Sequence, residues 1–74
     1  MSMRYRNNLK AARLASGMTQ RQAADLLGLR CESRLSQWEG GTSVPSIFNL
    51  LRLARMYGTT CELLYPTDPP EGRP

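Results

Sequence analysis

The 74-residue sequence contains no histidine and only two cysteines, Cys31 and Cys61, which lie in different segments. Zinc fingers and the usual Cys/His metal sites need several such ligands at short spacings, so the sequence excludes them. No pair of nucleophile and base can be assembled, and no glycine motif for holding phosphate is present. We therefore expect no metal, no cofactor, no small-molecule ligand and no enzymatic activity.

Long apolar runs are also missing. No stretch approaches the roughly 18 consecutive apolar residues that a membrane span requires. No secretory signal is recognisable either, so a reducing compartment is expected and a disulfide between the two cysteines is not. The sequence predicts a soluble, cytoplasmic protein without a membrane partner.

Charge is unevenly distributed along the chain. The formal net charge is +4, yet residues 1–60 carry nine Lys or Arg and only three Asp or Glu, whereas the last 14 residues carry one and three. A basic body of this kind suits a polyanion such as nucleic acid. A merely solvated surface has the same composition, so charge alone does not decide between the two.

A chain of this length forms one small domain. Its composition, 41% hydrophobic and 22% charged, is typical of a folded protein. The pattern predicts a flexible arm over residues 1–6, a folded domain over residues 7–65 and a disordered, proline-rich tail over residues 66–74.

The most informative stretch is residues 19–41, TQRQAADLLGLRCESRLSQWEGG. Thr19 and Gln22 have the spacing of a capping box at the start of a helix, and Gly28 suits its end. The apolar residues of this helix fall mostly on one side; they are Ala23, Ala24, Leu26 and Leu27.

A second short helix is predicted over residues 33–39. Leu35 and Trp38 are three positions apart and share an inward face. The opposite face is polar and contains Ser33, Arg34, Ser36 and Gln37. Two short helices across a tight turn, the second polar on its outer face, are the helix-turn-helix arrangement.

Three further helices complete an all-α, compact five-helix bundle. The first is capped by Asn7 or Asn8 and runs to about Ser16. The fourth follows Pro45 and Ser46 with a predicted buried stripe of Ile47, Leu50, Leu51, Ala54 and Tyr57. The fifth runs from Cys61 to Tyr65 after the capping residue Thr60.

Arg13 lies on the otherwise apolar stripe of the first helix. An inward charge without a partner costs several kcal/mol. We predict that Arg13 pairs with Glu39, which directly follows the inward Trp38. The pair has a structural role in this interpretation.

From Leu9 to Leu64 the sequence resembles the λ-repressor-like helix-turn-helix domains, the Cro-like or Xre-type transcriptional regulators of bacteria and phages. The resemblance implies a five-helix bundle that binds double-stranded operator DNA, usually as a homodimer, with the third helix in the major groove. The matching residues are Arg13, Gly17, Thr19, Gln20, Ala24, Leu27, Gly28, Leu35, Trp38, Glu39, Gly41, Pro45, Ser46, Ala54, Gly58 and Leu64.

The resemblance implies that Gln20 contacts phosphate and that the outward residues Glu32, Ser33, Ser36 and Gln37 read bases. Gln37 matches the N6 and N7 edge of adenine, and Arg34 either forks onto guanine or holds phosphate. Glu32 either accepts a hydrogen bond from cytosine or stabilises the N-terminus of the helix through its negative charge. The expected phosphate contacts are Thr19, Gln20, Arg21, Arg30, Thr42 and Ser43.

The chain departs from the family pattern at two places. It has one more residue than the commonest spacing between Gly28 and Glu39, and we place the extra residue at Arg30–Cys31. The loop of residues 40–43 lacks the basic residues that the family often has there. We expect a sequence-specific DNA-binding regulator, acting as a repressor. The alternative is a protein-interaction module of the same fold without operator binding.

Overall fold

In the computed structural model, which describes residues 4–66, the chain forms five α-helices and no strand within that range. The all-α five-helix bundle expected from the sequence is confirmed. Residues 1–3 and residues 67–74, which include most of the expected tail, lie outside the described residues. The helices are α1 (Leu9–Ala15), α2 (Gln20–Leu27), α3 (Ser33–Gly40), α4 (Ile47–Tyr57) and α5 (Cys61–Leu64).

Short polar side chains begin three of these helices. At α2, Thr19 Oγ1 accepts a hydrogen bond from Gln22 N at 3.0 Å, and Gln22 Oε1 accepts one from Thr19 N at 2.9 Å. This is the predicted capping box. Ser46 caps α4 and Thr60 caps α5 in the same way, each accepting from a backbone N–H three residues on.

Glycines in the left-handed conformation end α2, α3 and α4 at Gly28, Gly41 and Gly58. In each case the residue after the glycine donates to the carbonyl oxygen five positions back, over 2.9 to 3.1 Å. This is the Schellman pattern, which satisfies carbonyl groups that a helix end would leave unpaired. The same local signal therefore fixes the length of all three helices.

The core is built from residues of every helix. Leu9, Leu35, Leu53 and Leu64 are fully buried, and Trp38 is 3% exposed. The same cluster also contains Ala23, Leu27, Ala54 and Tyr57. Leu35 and Trp38 thus point inward, which leaves the opposite side of α3 available.

The predicted stripe of α4 is wrong at two positions. Ile47 is 60% exposed and Leu51 is 48% exposed, whereas Leu53, which the prediction omitted, is fully buried. The reason is that α4 packs against α1, α2 and α5, and these neighbours cover the side that carries Leu53, Ala54 and Tyr57. In α2 the side chain of Leu26 is likewise 59% exposed, because the buried side carries Ala23, Ala24 and Leu27.

The segment before α1 is attached to the ends of other helices. Tyr5 N donates to Gly41 O at 2.9 Å, and Asn7 Nδ2 donates to Trp38 O at 3.0 Å. Asn7 Oδ1 also accepts from Leu9 N at 3.0 Å, and Asn8 Nδ2 donates to Leu63 O at 2.8 Å. Part of the expected flexible arm therefore lies against the end of α3.

None of the helices within residues 4–66 is long and apolar enough to span a bilayer.

Candidate nucleic-acid interface

The two sides of α3 differ sharply in exposure. Leu35 and Trp38 are buried, while Ser33, Arg34, Ser36 and Gln37 are exposed. Glu32, at the position before the helix, is half-buried. Four of the five residues predicted to read bases, all except Glu32, thus lie on the uncovered side of a helix whose other side is fixed in the core.

Arg13 and Glu39, predicted to pair, form a two-point ion pair between α1 and α3. Arg13 Nε lies 2.7 Å from Glu39 Oε2, and Arg13 Nη2 donates to Glu39 Oε1 at 3.2 Å. The two side chains are 8% and 5% exposed. The hydrogen bond to Glu39 raises the pKa of Arg13, opposing the effect of burial. A third donor of Arg13 goes to the carbonyl of Met18 at 2.9 Å, so the guanidinium also holds the turn before α2.

Gln20 extends this network to the start of α2. Its Nε2 donates to Glu39 Oε1 at 3.0 Å, so α1 and α2 are both tied to the same carboxylate of α3. The link between Gln20 and Glu39 was not predicted, since the resemblance implies only a phosphate contact for Gln20. An amide nitrogen carries two hydrogens, and one of them stays available for a second acceptor.

The polar residues around the start of α2 keep donors at the surface. The oxygen of Thr19 accepts the capping bond, which leaves its hydroxyl hydrogen free to donate. Arg21 Nε lies 3.6 Å from Asp25 Oδ1, with both side chains mostly exposed. Such an exposed pair contributes less than about 1 kcal/mol and is easily exchanged for another partner.

A helix-turn-helix family profile matches residues 9–64, about three quarters of the chain. The chain belongs to the Cro/C1-type helix-turn-helix family. In this λ-repressor-like domain α2 and α3 are the two helices of the motif, and the protein is in general terms a DNA-binding helix-turn-helix regulator. No curated protein shows significant sequence similarity to the chain.

The turn of this helix-turn-helix protein is the segment in which the sequence predicts an extra residue. It runs from Gly28 to Glu32, and Arg30 and Cys31 are exposed in it. Arg30, Cys31 and Arg34 line a surface groove of about 310 Å³ with Gly28 and Leu29. Cys31 Sγ lies 3.4 Å from Ser33 Oγ, and hydrogen bonds with the side chain and backbone of Ser33 lower the pKa of the thiol. The turn therefore brings Arg30 to the N-terminal end of α3, where it lines the same groove as Arg34 of the helix.

The loop after α3 has fewer free donors than its sequence suggests. Thr42 N donates to Gln37 O at 3.1 Å, and Thr42 Oγ1 donates to the same oxygen at 3.2 Å. Gly41 N donates to Trp38 O at 3.1 Å. Thr42, expected to contact phosphate, has both of its donors in use as part of the helix cap. Ser43 is half-buried beside it.

A second surface groove, of about 280 Å³, lies between α1, the start of α2 and the outer side of α3. It brings the predicted base reader Ser36 and the predicted phosphate contact Gln20 to one place. Lys10 also lines it, with Glu39 and Gly40. Lys10 could not be predicted as part of this site, because nothing in the pattern of α1 shows that its exposed side faces α3.

Proposed function

We propose that the protein is a sequence-specific transcriptional repressor of bacterial or phage origin that acts in the cytoplasm. In this proposal the exposed side of α3 enters the major groove of operator DNA. The observation that carries it is the exposure of Ser33, Ser36 and Gln37 on a helix whose Leu35 and Trp38 are buried. A helix held this way presents fixed donors and acceptors, as base recognition requires.

Each residue of the exposed side has a role in this proposal. Gln37 offers both a donor and an acceptor to the N6 and N7 edge of adenine. Arg34 donates two hydrogen bonds to guanine or binds phosphate. The hydroxyls of Ser33 and Ser36 form hydrogen bonds with the edges of nearby bases. Glu32, at the N-cap of α3, interacts favourably with the helix dipole or accepts from cytosine N4.

Phosphate contacts come in this proposal from both sides of α3. The start of α2 supplies the Thr19 hydroxyl, the second amide hydrogen of Gln20 and the Arg21 guanidinium, next to the positive end of the helix dipole. Arg30 supplies charge from the turn. Ser43 supplies a hydroxyl from the loop, and Thr42 would have to give up its bond to Gln37 to do the same.

The test is selection of duplexes from a random pool, followed by titration of the best duplex at increasing salt. The proposal expects a preferred sequence, and it expects the logarithm of the affinity to fall linearly with the logarithm of the salt concentration. No preferred sequence, or no effect of salt, would contradict it.

Gln37→Ala is the matching variant. It should cost about 1–3 kcal/mol of discrimination at one base position and leave the thermal melt unchanged. Arg52→Ala, which removes an exposed side chain from α4, is the control and should keep the full preference.

The uncharged loop after α3 favours a second candidate, a protein-interaction module of the same fold. For that function, partner binding would be indifferent to Gln37→Ala and no duplex would be retained. Duplex retention and the effect of Gln37→Ala on binding therefore distinguish the two candidates.

A further inference from the structure

We propose that Arg4 supplies the phosphate contact at the C-terminal end of α3 that the uncharged loop does not. This inference rests on the proposed DNA binding and adds a residue to it. It assigns one defined binding role within the segment before α1, which the sequence predicts to be a flexible arm.

The need for such a residue follows from the loop itself. Residues 40–43 are Gly, Gly, Thr and Ser, so no side chain there carries charge. Thr42 already uses its hydroxyl and its backbone N–H on Gln37 O. The end of α3 also carries the negative end of the helix dipole, which repels a phosphate unless a cation lies between them.

Arg4 lies at this point. Its Nη1 donates to Gly40 O at 2.7 Å. Gly40 is four positions after Ser36, so the two residues share one side of α3, and they line the same surface groove. The guanidinium is therefore attached at the exposed side of α3, about one helical turn of 5.4 Å beyond Ser36.

The guanidinium keeps the means to bind a second group. An arginine has five N–H donors, and the bond to Gly40 uses one of them. The residue is exposed. Because the N-terminal part of a recognition helix reads the bases, its C-terminal end lies toward the wall of the groove, where phosphates are.

The backbone around Arg4 fixes its position. The bonds from Tyr5 N to Gly41 O and from Asn7 Nδ2 to Trp38 O hold the segment against the end of α3. A phosphate contact from this place therefore costs less conformational entropy than one from a free arm.

The test uses the full-length chain and a duplex selected with the wild-type protein. Arg4→Gln keeps a donor for Gly40 and removes the charge, Arg4→Lys keeps the charge, and Arg55→Ala removes one exposed charge from α4 as a control. For Arg4→Gln we expect the slope of log affinity against log salt to shrink by about 0.9, the value for one phosphate. Discrimination between selected and scrambled duplexes should be unchanged. Arg4→Lys and Arg55→Ala should keep the wild-type slope.

An unchanged slope for Arg4→Gln, or the same loss for Arg55→Ala, would overturn the inference while leaving the proposed function intact. A loss of discrimination with an unchanged slope would overturn it as well, because Arg4 would then be reading bases. If the wild-type protein itself shows no selective, salt-dependent binding, the proposed function fails and this inference with it. Circular dichroism of each variant separates a lost contact from lost folding.

Discussion

The carboxylate of Glu39 receives hydrogen bonds from α1 through Arg13 and from α2 through Gln20, although it belongs to α3. Burying an ion pair gains little stability, because desolvation offsets most of the attraction between the charges. Its effect here is geometric, since it fixes how α3 sits against the two preceding helices. Together with the burial of Leu35 and Trp38, this side chain sets the orientation of the exposed residues of α3.

Removing Arg13 should be strongly destabilising. Arg13→Ala leaves the nearly buried Glu39 with only the Gln20 bond, and we expect the free energy of unfolding to fall by about 3 kcal/mol. Urea unfolding measures this. Arg21→Ala breaks the exposed pair with Asp25 and should change the same quantity by less than about 1 kcal/mol. Equal effects of the two variants would show that the Arg13 pair is not buried in solution.

Tyr57 presents the opposite case, a buried polar atom without a partner among residues 4–66. Its hydroxyl has no hydrogen bond, and the residue is 8% exposed. An unsatisfied buried hydroxyl costs about 1–3 kcal/mol. Tyr57→Phe removes that group and keeps the ring, so we expect the free energy of unfolding at neutral pH to rise by about 1 kcal/mol. A decrease would indicate that the hydroxyl is bonded.

The same residue gives a pH dependence. Burial, with a smaller contribution from the charge of Glu39, raises the pKa of Tyr57 to about 12. An unfolded tyrosine loses its proton near pH 10, roughly two units lower. Between these values the unfolded chain has released the proton and the folded chain has not, so stability falls as pH rises from about 10 to about 12. In Tyr57→Phe this alkaline fall should be smaller, and the part due to Tyr65, whose pKa is also raised by burial, should remain.

At the scale of the elements, Gly41 joins the end of α3 to the segment that carries Arg4. Its φ is +83°, and a Cβ placed there would lie 2.9 Å from Tyr5 O. Gly41→Ala therefore incurs both left-handed strain, about 1–2 kcal/mol, and a clash with backbone. Gly58→Ala incurs the strain at φ +66° with no heavy atom of the described residues within 4 Å of the new Cβ. We expect Gly41→Ala to be the more destabilising of the two in urea unfolding, and equal losses would mean that Tyr5 does not lie against α3.

Helix ends were predictable from the sequence because they are decided locally. The capping box of Thr19 and Gln22, the cap at Ser46 and the stop at Gly58 each depend on a few adjacent residues. The buried side of α4 was not predictable, because this helix carries apolar residues on more than one side. Only the packing of the neighbouring helices decides which of these residues are covered. Leu53 is buried and Leu51 half exposed for this reason, although both are leucines in the same helix.

The candidate nucleic-acid interface likewise has a part that local sequence predicts and a part that depends on packing. Leu35 and Trp38 define the inner side of α3 by spacing alone, so its exposed residues could be predicted. Lys10 lies near Ser36, and Arg4 lies near Gly40. In each case the two residues are more than 25 positions apart in the sequence. Arg13 could be paired with Glu39 across a similar distance because an inward charge needs a partner, but the exposed side chains of Lys10 and Arg4 give no such indication. Their positions follow only when α1 and the preceding segment are packed against α3.

At the scale of the whole molecule, a single domain of this size reads few base pairs, and we therefore propose that the repressor binds as a homodimer, at least on DNA. Two-fold symmetry places the two α3 helices in successive major grooves on one face of the duplex. The half-sites of a selected operator should then be inverted, with centres about 10 base pairs or 34 Å apart. We expect selection from a random pool to return such a palindrome.

Half-site spacing gives the sharper test of this arrangement. Inserting five base pairs at the centre of the operator turns one half-site to the opposite face of the duplex, while ten restore the face but lengthen the gap by about 34 Å. If the two copies touch each other, both insertions should reduce affinity to that of a single half-site, because neither allows the contact. If the copies bind independently, neither insertion changes the affinity per half-site. Gel-shift titration of the three duplexes and of a single half-site separates these outcomes, and independent binding would contradict the homodimer while leaving the reading of bases by α3 untouched.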